Sequence, residues 1–161
     1  MKIGVVSDTH GSTNALRQAI SAVGTVDAWF HLGDGADDIT RMRDELGVPV
    51  YAVAGNCDTF SSEPKVRQVE LGGKRFFLTH GDMYSVKYST QMLSLVAEEA
   101  HCDVALYGHT HLPDVEYGRV YILNPGSAAR PFNGIASCAL ITISDGEVKM
   151  EIIDISKANK A

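Results

Sequence analysis

The apolar positions of this chain fall into short unbroken runs separated by stripes of helical period. Residues 3–6, 26–32 and 48–54 are runs rich in β-branched and aromatic side chains, as in strands buried on both faces. After the first run, Leu16, Ala19, Ile20 and Val23 recur at i, i+3, i+4, i+7. Ser12 is placed to cap that helix and Gly24 to stop it. After the second run, Asp37 and Asp38 suit the positive end of another helix, with Ile39, Met42 and Leu46 on one face and Gly47 past its end. Strand, helix, strand, helix, strand predicts a parallel sheet with right-handed crossovers. The C-terminal loops of its strands then share one edge, where open α/β sheets place ligands.

Residues 59–64 form a polar loop, and residues 66–71 and 74–78 flank Gly72-Gly73 as a two-residue hairpin. Residues 88–100 read as a helix with Met92, Leu93, Val96, Ala97 and Ala100 on its buried side, and residues 103–107 as a further strand. After Pro113 the pattern changes to short strands at 115–117, 120–123, 136–143 and 148–153. This predicts a second, more antiparallel sheet packed against the first half. Trp29, Phe30, Cys102 and Cys138 read as core residues, His101 as solvent-facing, and residues 155–161 as a polar tail.

Composition narrows the class. At 161 residues, 45% hydrophobic and 21% charged, the chain reads as one globular domain, 1–161. A net charge of -6 argues against stable nucleic-acid binding but leaves room for a small anionic substrate, because bound cations reverse the local sign. No apolar run approaches the roughly 18 residues that would span a bilayer. Three cysteines at irregular spacing fit no disulfide framework and suggest a reducing cytoplasm.

The candidate chemistry lies where the apolar runs end. Asp8 and His10, Asp34, Asn56, His80, and His109 with His111 each follow such a run. Strand alternation would put His109 and His111 on one side. Imidazole, carboxylate and carboxamide together suit Mn, Fe, Zn, Ni or Co better than Ca. Seven donors exceed what one such ion needs and fit two ions if Asp8 or Asp34 bridges them. A water shared by two ions would be acidified into a nucleophile, and the excess positive charge would attract a phosphate ester.

Together, Asp8-x-His10, Gly33-Asp34, Gly55-Asn56-x-Asp58, His80 and Gly108-His109-x-His111 resemble the calcineurin-like metallophosphoesterase superfamily. Asn124-Pro125-Gly126-Ser127 and the short length are similar to its compact bacterial and archaeal phosphodiesterase branch. The resemblance implies an α/β fold, a four-layer αββα sandwich of two mixed β-sheets flanked by helices. It implies two divalent ions, Mn or Ni by preference, one held by Asp8, His10, Asp34 and His111, the other by Asp34, Asn56, His80 and His109. Asp34 is then the bridge, and His10, Asp34 and Asn56 act in catalysis, His10 by stabilising developing charge. The implied activity is hydrolysis of a phosphate diester. The alternative is a catalytically inactive scaffold like the retromer subunit of the same fold, against which stands a ligating residue at every position. A single-metal hydrolase of another fold is a third reading.

Many larger members carry His directly after the Asn; here Cys57 stands there. A thiol protonates a leaving group poorly, which favours diesters with acidic leaving groups. The plainer reading makes Cys57 a small buried filler. Asn56, Cys57 and Arg130 are candidate substrate-binding residues, with a surface ion pair the competing role for Arg130. Asp58 is either a carboxylate that orients a ligand or a turn cap, and His31 reads as core or as support behind the ligands. A homo-oligomer is compatible with the apolar strand edges.

Overall fold

Each central strand is buried on both faces, and side-chain alternation divides its residues between two cores. The computed structural model describes residues 1–157. β1 (Lys2–Val6), β2 (Ala28–His31) and β3 (Val50–Ala52) are parallel neighbours. The chain then forms β4 (Val66–Leu71), β5 (Lys74–Thr79), β6 (Val104–Leu106), β7 (Pro113–Tyr117) and β8 (Tyr121–Pro125). It ends in β9 (Ser137–Ser144) and β10 (Glu147–Asp154). The two five-stranded sheets have the orders β10-β9-β1-β2-β3 and β4-β5-β6-β8-β7. Both are mixed, because β5, β6 and β8 are parallel while β4, β7, β9 and β10 pair antiparallel to their neighbours.

Ile3, Val5, Phe30 and Leu32 of the first sheet meet Phe76, Leu78, Leu106 and Leu123 of the second in the core between them. Phe30 and Phe76 pack edge to face across that core at 5.3 Å between centroids, a geometry that adds about 1 kcal/mol to their burial. The alternate residues Val6 and Trp29 face outward beneath α1 (Thr13–Val23), α2 (Ala36–Thr40) and α3 (Arg43–Leu46). Phe77, Ala105 and Ile122 face the other way, beneath α4 (Gln91–Glu99). The result is a four-layer αββα sandwich. Ser12 caps α1 by accepting from the Ala15 amide, and Gly72 and Gly73, both at positive φ, make the tight β4–β5 hairpin.

Several expectations need correction. The second sheet does not begin after Pro113. It begins with the β4–β5 hairpin, and β9 and β10 return to pair beside β1 in the first sheet. Alternation marks a strand but carries no information about its partner. The helix expected from Asp37 to Leu46 is two short helices broken at Arg41 and Met42, although Ile39 and Met42 are buried as the stripe required. Residues 82–84 form a 3₁₀ turn and α4 starts only at Gln91, with Met92 51% exposed rather than buried. The polar tail begins too early at 155, since Ile155 is buried against α1 and its neighbours and its amide donates to the Ala136 carbonyl. Its last positions, 158–161, lie outside the described residues. Trp29, Phe30, Cys102 and Cys138 are buried and His101 is exposed, as expected.

Candidate metal centre

The loops after β1, β2, β3, β5 and β6 converge at one end of the two sheets. The Asp8 amide donates to the Gly33 carbonyl at 3.0 Å and the His10 amide to the Asp34 carbonyl at 2.8 Å, tying the first two loops together. The Gly108 amide donates to the His80 carbonyl at 2.9 Å, and the His109 amide reaches the Asp8 carboxylate at 3.2 Å across the two sheets. Small residues permit this crowding. A Cβ at Gly55 would strike the Asp34 carboxylate, and one at Gly108 would strike the Ser7 hydroxyl and the Asp8 carboxylate.

Asp8, His10, Asp34, His80 and His111 are brought together. His111 Nε2 lies 3.1 Å from Asp8 Oδ1 and 3.2 Å from His10 Nε2, while His80 Nε2 lies 3.3 Å from Asp34 Oδ2. The donor atoms of Asp8, His10 and His111 sit within 4.8 Å of one another, as do those of Asp8, Asp34 and His80. His109 packs its ring against His80, 5.0 Å between centroids, so the two histidines of the motif stand on different sides of the cluster. Strand alternation is not the cause, because β6 ends at Leu106. Both residues instead adopt left-handed backbone, with φ of 70° and 58°. Asp8, His10 and Asp34 do the same, so five of the eight described non-glycine residues at positive φ belong to this cluster. Backbone strain is concentrated where donors must be aimed.

Asn56 and Cys57 sit on the rim and are exposed, and the Asn56 amide nitrogen is 3.7 Å from Cys57 Sγ. The reading of Cys57 as a buried filler is therefore wrong. The Cys57 amide donates to Asp34 Oδ1 at 2.9 Å, which holds residue 57 at the cluster rather than in a core. Arg130 is exposed and carries no ion pair among the described residues, which removes the competing surface-pair role. It lines a cavity of about 390 Å³ with His10, Asp34, Cys57 and Arg41. Sequence reasoning missed Arg41. It belongs to a segment read as the middle of a helix, where an exposed arginine carries no signal, and the helix break turns it toward the site.

Behind the cluster lies a layer of supporting hydrogen bonds. Asp58 accepts from the amides of Asp34 (2.7 Å), Gly35 (2.8 Å) and Gly55 (2.8 Å), so it orients two ligand loops and does more than cap a turn. His80 Nδ1 bonds the Leu32 carbonyl at 2.7 Å, which makes Nδ1 the protonated nitrogen and leaves Nε2 facing the cluster. His31 is fully buried, with Nε2 at 2.9 Å from the Thr9 hydroxyl and Nδ1 accepting from the Gly33 amide at 3.1 Å. Ser127 donates to the Asp8 carbonyl at 2.8 Å, giving the Asn124–Ser127 turn a part in fixing β1's loop.

Electrostatics favour a cation here. Burial alone would raise the pKa of Asp34, but the adjoining His80 imidazole and the Cys57 amide hold it well below the usual carboxylate range. Asp8 behaves the same way, with burial overcome by His111 and His80. Burial pushes His10 and His109 down, which favours the neutral imidazole at pH 7. His80 is raised despite its burial, by Asp34 and Asp8, and His111 is raised chiefly by Asp8. Asp8 Oδ1 and His80 Nε2 are buried and have no hydrogen-bond partner; the nearby approaches to His111 and Asp34 lack hydrogen-bond geometry. Leaving such atoms unsatisfied costs about 1–3 kcal/mol each unless something else engages them. An ion-sized ligand set of imidazole and carboxylate therefore fits divalent metal.

Residues 1–146 match the calcineurin-like phosphoesterase superfamily domain. The Escherichia coli K12 phosphodiesterase YfcE is 31% identical over 159 residues, covering 83% of each chain. A predicted phosphoesterase from Streptococcus pneumoniae superposes with a TM-score of 0.82 at 29% identity, over 96% of this chain and 90% of that one. Vps29 from Entamoeba histolytica shares the fold, with a TM-score of 0.73 at 22% identity over 96% of this chain and 99% of that one. The chain belongs to the calcineurin-like phosphoesterase superfamily, a class of metal-dependent phosphoesterase enzymes.

Proposed function

We propose that this chain is a phosphodiesterase working at a centre for two divalent ions, manganese by preference and nickel, iron, zinc or cobalt as substitutes. One ion is assigned to Asp8, His10, Asp34 and His111. The other is assigned to Asp34, Asn56, His80 and His109, with Asp34 shared. When bound, the ions supply Lewis acidity toward phosphate oxygens and lower the pKa of water. The observation that carries the reading is the pair of buried, partnerless atoms, Asp8 Oδ1 and His80 Nε2, at the point where five loops meet.

The chain's own residues account for substrate handling. Arg130 and Arg41 face the cavity beside His10 and bind the phosphate's anionic oxygens by charge-assisted hydrogen bonds. Asn56 is exposed next to Cys57, which lines that cavity, and is assigned both a ligand role and contact with the ester. His10 is neutral and partly enclosed, and where its metal contact is loose its N–H would stabilise charge developing on the ester. Cys57 is a thiol whose pKa is raised by burial and by the Asp34 charge, so the site has no strong acid at that position. Diesters with acidic leaving groups are therefore the favoured substrates. The chain works in the cytoplasm on a small phosphate ester and binds neither membrane nor nucleic acid stably. Among the described residues no helix is long and apolar enough to cross a membrane.

The inactive-scaffold alternative shares the fold but gives no reason for a complete and strained donor set. The test is hydrolysis of bis(4-nitrophenyl) phosphate by protein stripped with a chelator and then resupplied with Mn²⁺. Activity that disappears on stripping and returns with the ion supports the reading. Undiminished hydrolysis by stripped protein, or none by the metal-loaded protein on any ester, overturns it.

A further inference from the structure

Of the three cysteines, Cys102 and Cys138 are buried in apolar surroundings and only Cys57 is exposed. Its sulfur has a defined place. Cys57 Sγ, a His10 ring nitrogen and an Asp34 carboxylate oxygen all lie within 4.8 Å of one another. Main-chain contacts hold the loop that carries it. The Cys57 amide donates to Asp34 Oδ1 at 2.9 Å, and the neighbouring Asp58 carboxylate holds the Gly55 and Asp34 amides at 2.8 and 2.7 Å. Asp8 Oδ1 is fully buried, has no hydrogen-bond partner and lies 3.7 Å from His10 Nε2, so an unmet carboxylate oxygen adjoins the same imidazole.

We propose that Cys57 is a metal-binding residue that joins His10 and Asp34 in a sulfur-bearing donor set for thiophilic ions. A hard ion such as Mn²⁺ is held by the oxygen and imidazole donors alone, whereas Co²⁺, Zn²⁺ or Cd²⁺ also recruits the sulfur. The step is a ligand exchange without redox change: the metal–sulfur bond replaces the S–H bond, and the proton leaves to solvent. Residue 57 then tunes which ion the centre keeps, a role separate from protonating a leaving group.

Cobalt separates the two kinds of donor by colour. The chelator-stripped full chain is titrated with Co²⁺, and absorption is followed for wild type and Cys57→Ser. Visible d–d bands report the ion bound by any donors, and near-ultraviolet sulfur-to-cobalt charge transfer reports the thiolate. The expected result is both features in wild type, with the charge-transfer band lost and the d–d bands kept in Cys57→Ser. A wild type with d–d bands but no charge transfer overturns the proposal. So does charge transfer that survives in Cys57→Ser, or the absence of d–d bands from both proteins. The readout involves no ester hydrolysis, so it stands or falls separately from the phosphodiesterase reading.

Discussion

The floor of the centre and its rim are built differently. Asp8, Asp34 and His80 lie on the floor, each 3% exposed or less, with neighbouring main-chain groups tied by hydrogen bonds to other loops. Asn56, Cys57, Arg41 and Arg130 lie on the rim, exposed, and neither arginine has an ion-pair partner among the described residues. Aim at the floor is set by burial and by backbone strain that the packed loops enforce. At the rim the two arginines are tied to no carboxylate, so their side chains can adapt to what enters. The floor is thus suited to hold ions in fixed geometry and the rim to select the ester.

That contrast can be broken at the floor first. Asp34→Ala removes the carboxylate proposed to be shared and is expected to abolish both Mn²⁺ retention and hydrolysis, measured by elemental analysis and by nitrophenol release. A variant that keeps full activity would show that Asp34 bridges nothing. The support beneath the floor comes next. Burial lowers the His31 pKa from 6.5 to about 4, so the folded chain keeps His31 neutral while the unfolded chain protonates it. The resulting stability is present above pH 6.5 and is lost as pH falls toward 4, about 3 kcal/mol in all. Urea unfolding of chelated protein between pH 7 and pH 4 is expected to show this loss in wild type and a much flatter profile in His31→Asn. Equal profiles would mean that the buried imidazole is not the group responsible.

Asp58→Ala leaves the Asp34 and Gly55 amides without their acceptor and is expected to weaken Mn²⁺ affinity by about 10–100-fold, measured by competition with a fluorescent chelator. Unchanged affinity would make Asp58 a turn residue only. At the rim, the smallest effect is expected from Cys57→His. Mn²⁺ retention stays near wild type, and the rate gains most on alkyl esters with poor leaving groups. A leaving-group dependence identical to wild type would place the proton donor elsewhere.

The floor was also the more legible part of the sequence. Asp8, His10, Asp34 and His80 each follow an apolar run, and parallel order brings such loop positions together without knowledge of any side-chain contact. His109 and His111 were legible as a pair, but the reason was not alternation. Their left-handed backbone depends on crowding against the loop after β1, which no local pattern records. The rim was largely hidden. Arg41 reaches the cavity through a helix break between two stretches that share one apolar stripe, and Cys57 is exposed although its residue type favours burial. At sheet level, every strand from β4 to β10 was signalled by alternation or an apolar run, yet the return of β9 and β10 to the first sheet was not. Pairing is decided by which edge remains open once the rest has folded.

The most direct test of a two-ion centre built across two sheets is the metal content of His111→Ala and His109→Ala beside wild type, after loading with Mn²⁺ and gel filtration. Two ions per chain are expected in wild type and one in each variant. Anomalous scattering should place the remaining ion with His80 when His111 is lost, and with Asp8 and His10 when His109 is lost. One ion in wild type, or the same ion missing from both variants, would contradict it.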